Sequence, residues 1–197
     1  MIDLLISTFC RIDDFCIMYE KSIKDKLIGN DQPRKYGKTQ SLSVSEIMTI
    51  MVMFQSVKYR NFKYYYNEFI LTYWKSYFPT APSYTRFVEL MPQALVPLTA
   101  FVTSCQGNKT GIYFVDATKL PVCHNLREKR HKVFSICAGK SKTSTGWFFG
   151  LKLHVVVNHL CEIVSFRITR GNVDDRTPLP DLCKSLKGYL FGDRGYV

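Results

Sequence analysis

Hydrophobic positions change their period part-way along the chain. In the first hundred residues they recur at helical intervals. Ile47, Ile50, Met51 and Phe54 follow Ser43-Val-Ser-Glu46, whose spacing is that of a capping box, with a hydroxyl for the amide three residues on and a carboxylate reaching back. A helix therefore starts there. Between Tyr59 and Phe78 ten aromatics are interleaved with Arg60, Lys63 and Lys75. A stripe of that kind is a packed core more often than a base-stacking surface. Pro79, Pro82, Pro92 and Pro97 then predict short, punctuated helices, and Gln106-Gly-Asn-Lys-Thr-Gly111 predicts a turn-rich linker.

Beyond Gly111 the period becomes that of strands. Ile112-Tyr-Phe-Val115 is a short apolar run ending on Asp116, and Trp147–Val157 and Glu162–Thr169 alternate and are rich in β-formers. Asn158-His-Leu-Cys161 joins the last two as a hairpin-length connection. Thr177-Pro178 opens a helix with proline in its first turn, Leu179, Leu182, Cys183 and Leu186 form its apolar face, and Gly188 closes it. Tyr189-Leu-Phe-Gly192 is a further strand running into Asp193. The expected order of β, β, β, α, β opens an α/β sheet, and the expected division is a helical region over 1–106 followed by an α/β domain over 107–197.

Composition narrows the class. With 46% hydrophobic residues in 197, the chain has material for one large core or two small ones, which excludes a disordered polypeptide. The longest apolar stretch, around Ile47–Phe54, is far short of the roughly 20 residues that cross a bilayer, so neither a spanning helix nor a membrane partner is expected. An acid at position 3, where a secretory signal would be basic, points to the cytoplasm. Seven scattered cysteines without a C-x-x-C pair argue against a disulfide framework. Cys123, His124, His131 and Cys137 match no standard zinc spacing, and ordinary reduced thiols are the better reading.

The net charge of +11 is unevenly spread: +3 over residues 1–100 and +8 over 101–197. Lys119, Arg127, Lys129, Arg130, Lys132, Lys140, Lys142 and Lys152 stand against the single acid Glu128, a net +7 within 119–152. One reading is a solvated, flexible loop, which Gly139, Ser141 and the run Thr143-Ser-Thr-Gly146 would also suit. The sharper reading is a phosphate-backbone partner, because so concentrated a charge repels itself until an anion neutralises it. His124 and His131 lie in this stretch and could touch phosphate or bases, whereas His154, inside a strand, reads as a satisfied core histidine.

Asp116 and Asp193 share a context, each following a short buried strand. Taken singly, an aspartate after a strand is a turn residue. Taken as a pair, they would emerge together at the carboxyl edge of the sheet if helix 177–187 is a crossover between parallel strands. Two carboxylates there suit a hard divalent ion such as Mg²⁺, which binds one or two carboxylates together with substrate phosphates. Asp174, Asp175 and Arg176 precede the helix, where a capping role is at least as good a reading as contact with metal or DNA.

Four blocks carry a resemblance: Tyr113-Phe-Val-Asp116-Ala-Thr-Lys-Leu-Pro-Val-Cys, Gly146-Trp-Phe-Phe-Gly-Leu-Lys-Leu-His-Val, Gly171-Asn-Val-Asp-Asp-Arg176 and Leu190-Phe-Gly-Asp193-Arg-Gly-Tyr196. In this order they resemble the DDE-domain transposases of bacterial insertion sequences, most closely the insertion sequence 982 family. The helical first hundred residues, including Leu42-Ser-Val-Ser-Glu and Arg60-Asn-Phe-Lys, resemble that family less tightly. The resemblance implies a ribonuclease H-like mixed sheet, incomplete at the C-terminus, behind an α-helical, DNA-binding N-terminal region. It implies Mg²⁺- or Mn²⁺-dependent cleavage and strand transfer, with Asp116 and Asp193 as the first two catalytic, metal-binding acids. Lys119, Arg127, Lys129, Arg130, Lys132, Lys140 and Lys142 are the expected DNA contacts. The expected partners are DNA, as element ends and as target, and further copies of the chain assembled on it. The third family acid is a glutamate beyond a further strand, and neither Glu128 nor Glu162 sits at its position. The sequence therefore reads as a truncated copy, with a catalytically inactive DNA-binding remnant as the alternative.

Overall fold

The computed structural model describes residues 1–26, 42–143 and 146–196, and the chain divides into two compact units, Met1–Ser104 and Cys105–Val197. Ser144 and Thr145, part of the loop reading above, lie outside the described residues.

The first unit is helical. α1 (Ile2–Lys26) buries Leu5, Ile12 and Cys16, one stripe at helical spacing, against α2 (Val44–Ser56) and α4 (Tyr84–Ser104). The start of α2 is the capping box expected from sequence: the Ser43 hydroxyl accepts the Glu46 N–H at 3.1 Å and the Ser43 N–H donates to Glu46 Oε2 at 2.6 Å. Ile47, Met48, Ile50 and Met53 of α2 are fully buried. A short α3 (Phe62–Tyr64), capped by Asn61, runs into a π-helical segment, Tyr65–Tyr73, whose wider turn carries Tyr65, Tyr66 and Ile70 into the core. The buried phenols are bonded, Tyr65 Oη to the Ile50 carbonyl at 3.2 Å and Tyr66 Oη to the Pro82 carbonyl at 2.8 Å. Most of the aromatic stripe is thus core, with Tyr64, Tyr73 and Tyr77 exposed.

The prolines do not divide α4 as expected. Pro92 and Pro97 lie inside one 21-residue helix, because its apolar face of Phe87, Leu90 and Ala94 packs continuously into the core and outweighs the lost backbone bonds. The expectation that no helix would be long and apolar enough to cross a membrane does not hold: by length and composition alone α4 is, because it runs unbroken through Pro92 and Pro97.

The second unit is mixed α/β: a five-stranded mixed sheet with one short helix. β1 (Ile112–Cys123) is paired antiparallel along nearly its whole length with β3 (Gly146–Asn158). The outer edge of β3 is shared by β2 (Gly139–Thr143) at one end and β4 (Ile163–Arg170) at the other, both antiparallel. α5 (Leu179–Cys183) leads from β4 to β5 (Tyr189–Phe191), which lies parallel to β1 on its other side. Tyr113, Val115, Val156 and Val164 form the buried face under Leu182 of α5, while Phe114 and Phe191 stack at 5.6 Å on the opposite, exposed face.

Three sequence expectations change here. Residues 139–143, read as flexible loop, form β2, since pairing with Gly146–Gly150 satisfies their backbone groups. β1 does not end at Asp116 but continues to Cys123, held by β3. The helix expected over 177–187 contracts to Leu179–Cys183, and Asp174 and Asp175 do not cap it; its N-cap is Pro178, without a side-chain bond.

The junction of β1 and β5 rests on two glycines. The Tyr189 N–H donates to the Gly111 carbonyl at 2.8 Å, and Gly188, at φ +128°, lies so close that an added Cβ would sit 2.0 Å from that carbonyl oxygen. Gly146, at φ +109°, faces open space. We expect Gly188→Ala to lower the thermal unfolding midpoint markedly more than Gly146→Ala, since both carry the cost of a positive φ but only the first adds a backbone clash. Equal shifts in thermal melts would show that the close approach is not what positions β5.

Candidate active site and nucleic-acid surface

The β1–β5 ladder sets the relation of the two acids. Ile112 pairs with Tyr189, Tyr113 with Leu190 and Phe114 with Phe191. Asp116 and Asp193 each lie two residues beyond the last of these pairs, at the same end of the ladder. Asp116 alternates onto the exposed face with Phe114. Both carboxylates are exposed, and each is oriented by a local backbone bond. Asp116 Oδ1 accepts the Ala117 N–H at 2.7 Å, and Asp193 Oδ1 accepts the Gly195 N–H at 2.9 Å. The crossover anticipated for the helix before Asp193 is present, and it delivers β5 parallel to β1.

Beneath the opposite face lies a polar cluster that sequence reasoning did not assemble. Lys152, His154 and Val156 alternate onto the buried side of β3. Lys152 Nζ donates to Asp175 Oδ1 and to the Val173 carbonyl, both at 2.9 Å. His154, fully buried as expected, bonds Thr169 Oγ1 through Nε2 at 2.8 Å, while its Nδ1, otherwise unpartnered, lies 3.9 Å from Asp175 Oδ1. Burial depresses the His154 pKa below its ordinary value; Asp175 opposes this and Lys152 and Arg167 reinforce it. The period-2 placement of Lys152 and His154 was the available signal. Its partner was not visible, because Asp175 comes from a loop 21 residues past His154. Asp174 instead closes its own turn by accepting the Arg176 N–H and side chain, and these bonds hold its carboxyl down to about 2. The Tyr196 phenol is pushed up by burial and by the negative charge of Asp175, Asp116 and Asp193.

The cations sort into two groups. Lys152 is engaged inside the unit by Asp175 and lies apart from the exposed surface. Arg127, Lys129 and Arg130 project from a 3₁₀ turn, Asn125–Arg130, and are exposed, as are Lys132, Lys140 and Lys142; Lys119 on β1 is half-buried. Leu126, Arg127, Arg130 and His131 line an open groove of about 620 Å³. The turn is anchored rather than floating. Glu128 pairs with Lys140 at 3.2 Å, and His131 stacks parallel to Phe134 and edge-on to Phe149. Glu162, the other acid weighed above, is used locally, accepting from Asn158 Nδ2 at 2.7 Å.

Residues 106–197 match the transposase DDE domain. The match covers the second unit almost entirely and supports a DDE transposase, for which DNA is the implied partner. No curated protein and no solved structure matches the chain. DDE transposase domains generally use divalent metals. Asp116 and Asp193 of the DDE segment offer a hard, oxygen-only donor pair, which fits Mg²⁺ or Mn²⁺ rather than a softer ion. No group of three or more His, Cys, Asp or Glu side chains suited to a metal occurs among the described residues, no cysteine among them is in a disulfide, and the Cys123–Cys137 zinc candidates form no cluster.

The buried histidine gives the DDE segment a pH dependence of known sign. Because His154 has a folded-state pKa below its unfolded value of about 6.5, the unfolded chain takes up the proton first and stability falls as pH drops through that value. We expect the unfolding midpoint to fall between about pH 7.5 and 5.5 and His154→Gln to flatten that slope, as read by urea melts across the range. A variant with an unchanged slope would remove His154 as its source.

Proposed function

We propose that this chain is a DDE transposase of the insertion sequence 982 type, built on a ribonuclease H-like sheet, that cleaves and transfers DNA strands at insertion-sequence ends. The observation that supports this reading is the parallel pairing of β1 with β5, from which Asp116 and Asp193 each follow by two residues, within the segment matched to the transposase domain. In this reading Asp116 and Asp193 are the residues that would hold Mg²⁺ or Mn²⁺. When bound, the ion lowers the cost of deprotonating the attacking water or 3′-hydroxyl and of charge on the leaving oxygen. Asp116, fixed by the Ala117 N–H, and Asp193, fixed by the Gly195 N–H, each present a carboxylate toward solvent, where a phosphodiester can approach.

Lys119, Arg127, Lys129, Arg130, Lys132, Lys140 and Lys142 are proposed as contacts to the DNA backbone, which fix its position without reading bases. The helical unit is proposed as a further DNA-binding region, with copies of the chain assembling on element ends in the cytoplasm, at the nucleoid. A second reading, a DNA-binding remnant without turnover, is favoured by one observation: among the described residues no third acid joins Asp116 and Asp193 in a group suited to a metal. Two carboxylates offset only half the charge of two divalent ions, so metal binding is expected to be weak.

The two readings separate in one set of assays on labelled duplex carrying the element's ends. Both predict binding that weakens by roughly 10³-fold or more between about 50 and 200 mM salt if six or more phosphate contacts form, and uniform weakening across sequences in the Lys129→Ala/Arg130→Ala/Lys132→Ala triple variant. A flat salt response would sink both. The transposase reading further expects Mg²⁺-dependent nicking that Asp116→Asn and Asp193→Asn each abolish while DNA binding persists. Binding with no metal-dependent nicking above background selects the remnant.

A further inference from the structure

The tip of the β2–β3 hairpin carries an aromatic side chain that contributes nothing to either core. Trp147 is 57% exposed at the start of β3, whereas Trp74, the chain's other tryptophan, is 4% exposed in the helical core. Burying an indole is worth more than burying almost any other side chain, so an open indole on a folded sheet is a surface with an unfilled contact. Its surroundings define the partner. Lys140 Nζ stands over the ring at 5.7 Å from its centroid, and Asn125 Nδ2 donates to the Trp147 carbonyl at 2.8 Å. That bond ties the hairpin tip to the 3₁₀ turn carrying Arg127, Lys129 and Arg130. Next to Asn125 stands Leu126, 87% exposed, lining the same groove as Arg127 and Arg130. The loop that follows exposes two more aliphatics, Val133 and Ile136.

A protein or lipid partner would favour an apolar patch with few charges inside it. Here Lys140 stands over Trp147, and Arg127 and Lys132 adjoin Leu126 and Val133 in sequence, and the partner that complements cations and apolar faces together is a nucleic acid, with phosphate for the cations and base faces for the indole and the leucine. Phosphate contacts alone need no Trp147 or Leu126, since cations suffice to hold a paired duplex. An indole held at a defined place among phosphate-binding cations is a platform for a base that has left its stack.

Resting on the DNA-binding reading above, we propose that Trp147 stacks on an unpaired or extruded base of the bound duplex, with Leu126 wedged into the step it vacates, so that the β2–β3 tip selects locally opened DNA. The bonds from Asn125 and Glu128 to the hairpin give the platform its rigidity, which lowers the ordering cost of the stack.

The test is competition binding of the full chain to two labelled duplexes identical in sequence except for one unpaired base. The expected result is a preference of about tenfold for the duplex with the unpaired base, the size of a single base–aromatic stack. Trp147→Ala should remove the preference while leaving affinity for the paired duplex, its salt slope and the thermal melt unchanged; Trp147→Phe should retain part of it. Intrinsic fluorescence should be quenched by the unpaired-base duplex in the wild type and not in Trp147→Ala, where buried Trp74 alone reports. Equal affinity for the two duplexes, or equal weakening of both by Trp147→Ala, overturns the platform while leaving DNA binding intact. Failure to bind either duplex overturns the DNA-binding reading and the platform with it.

Discussion

A three-residue parallel ladder carries the candidate site. β1 is secured on one side by β3, while Ile112–Phe114 pair with Tyr189–Phe191 in one register that puts Asp116 and Asp193 at the same end of the ladder, and Gly188 approaches the Gly111 carbonyl beside it. A shift of one residue would turn Asp193's neighbours to the other face and part the two carboxylates by a residue's rise. The buried cluster under Leu182 acts as the second lock: Tyr113 and Val115 alternate into it from the same strand that presents Phe114 and Asp116 outward. Site and core are the two faces of one strand.

Much of this was legible in the chain. Alternation at Trp147–Val157 and Glu162–Thr169 located β3 and β4 to within a residue or two and the Ser43/Glu46 spacing located the start of α2, whereas the shared context read for Asp116 and Asp193 does not hold: β1 runs on past Asp116, and all three residues of β5 before Asp193 are exposed rather than buried. What escaped was what local pattern does not encode. β2 has a polar, glycine-containing sequence with no apolar alternation of its own, and it is a strand because β3 offers it a hydrogen-bonding edge. The true length of β1 likewise depends on β3, and the survival of α4 across Pro92 and Pro97 depends on the core beneath it. Helical propensity gave way to tertiary packing in α4, and turn propensity gave way to pairing in β2.

The polar cluster of Lys152, His154, Thr169 and Asp175 shows the same limit at the level of side chains. Two of its members announce themselves by strand period; Asp175 arrives from a loop whose sequence suggests a helix cap. Its effect is to take Lys152 out of the cationic surface. The stretch counted as +7 along the chain is therefore not one patch in space. Its exposed part is concentrated on the 3₁₀ turn and the β2–β3 hairpin, with Lys119 half-buried on β1.

Beyond Phe114, β1 has β3 alone as a strand neighbour among the described residues, so its other side is there a margin of the sheet. Such a margin is a template on which a foreign strand can polymerise. Pro121 contributes no N–H to it, and Asp116 and Lys119 place charges where an incoming strand would have to seat its own side chains. Asp116, the candidate cation ligand, is in this way also placed to keep a foreign strand from docking, so its charge bears on colloidal solubility whatever it binds.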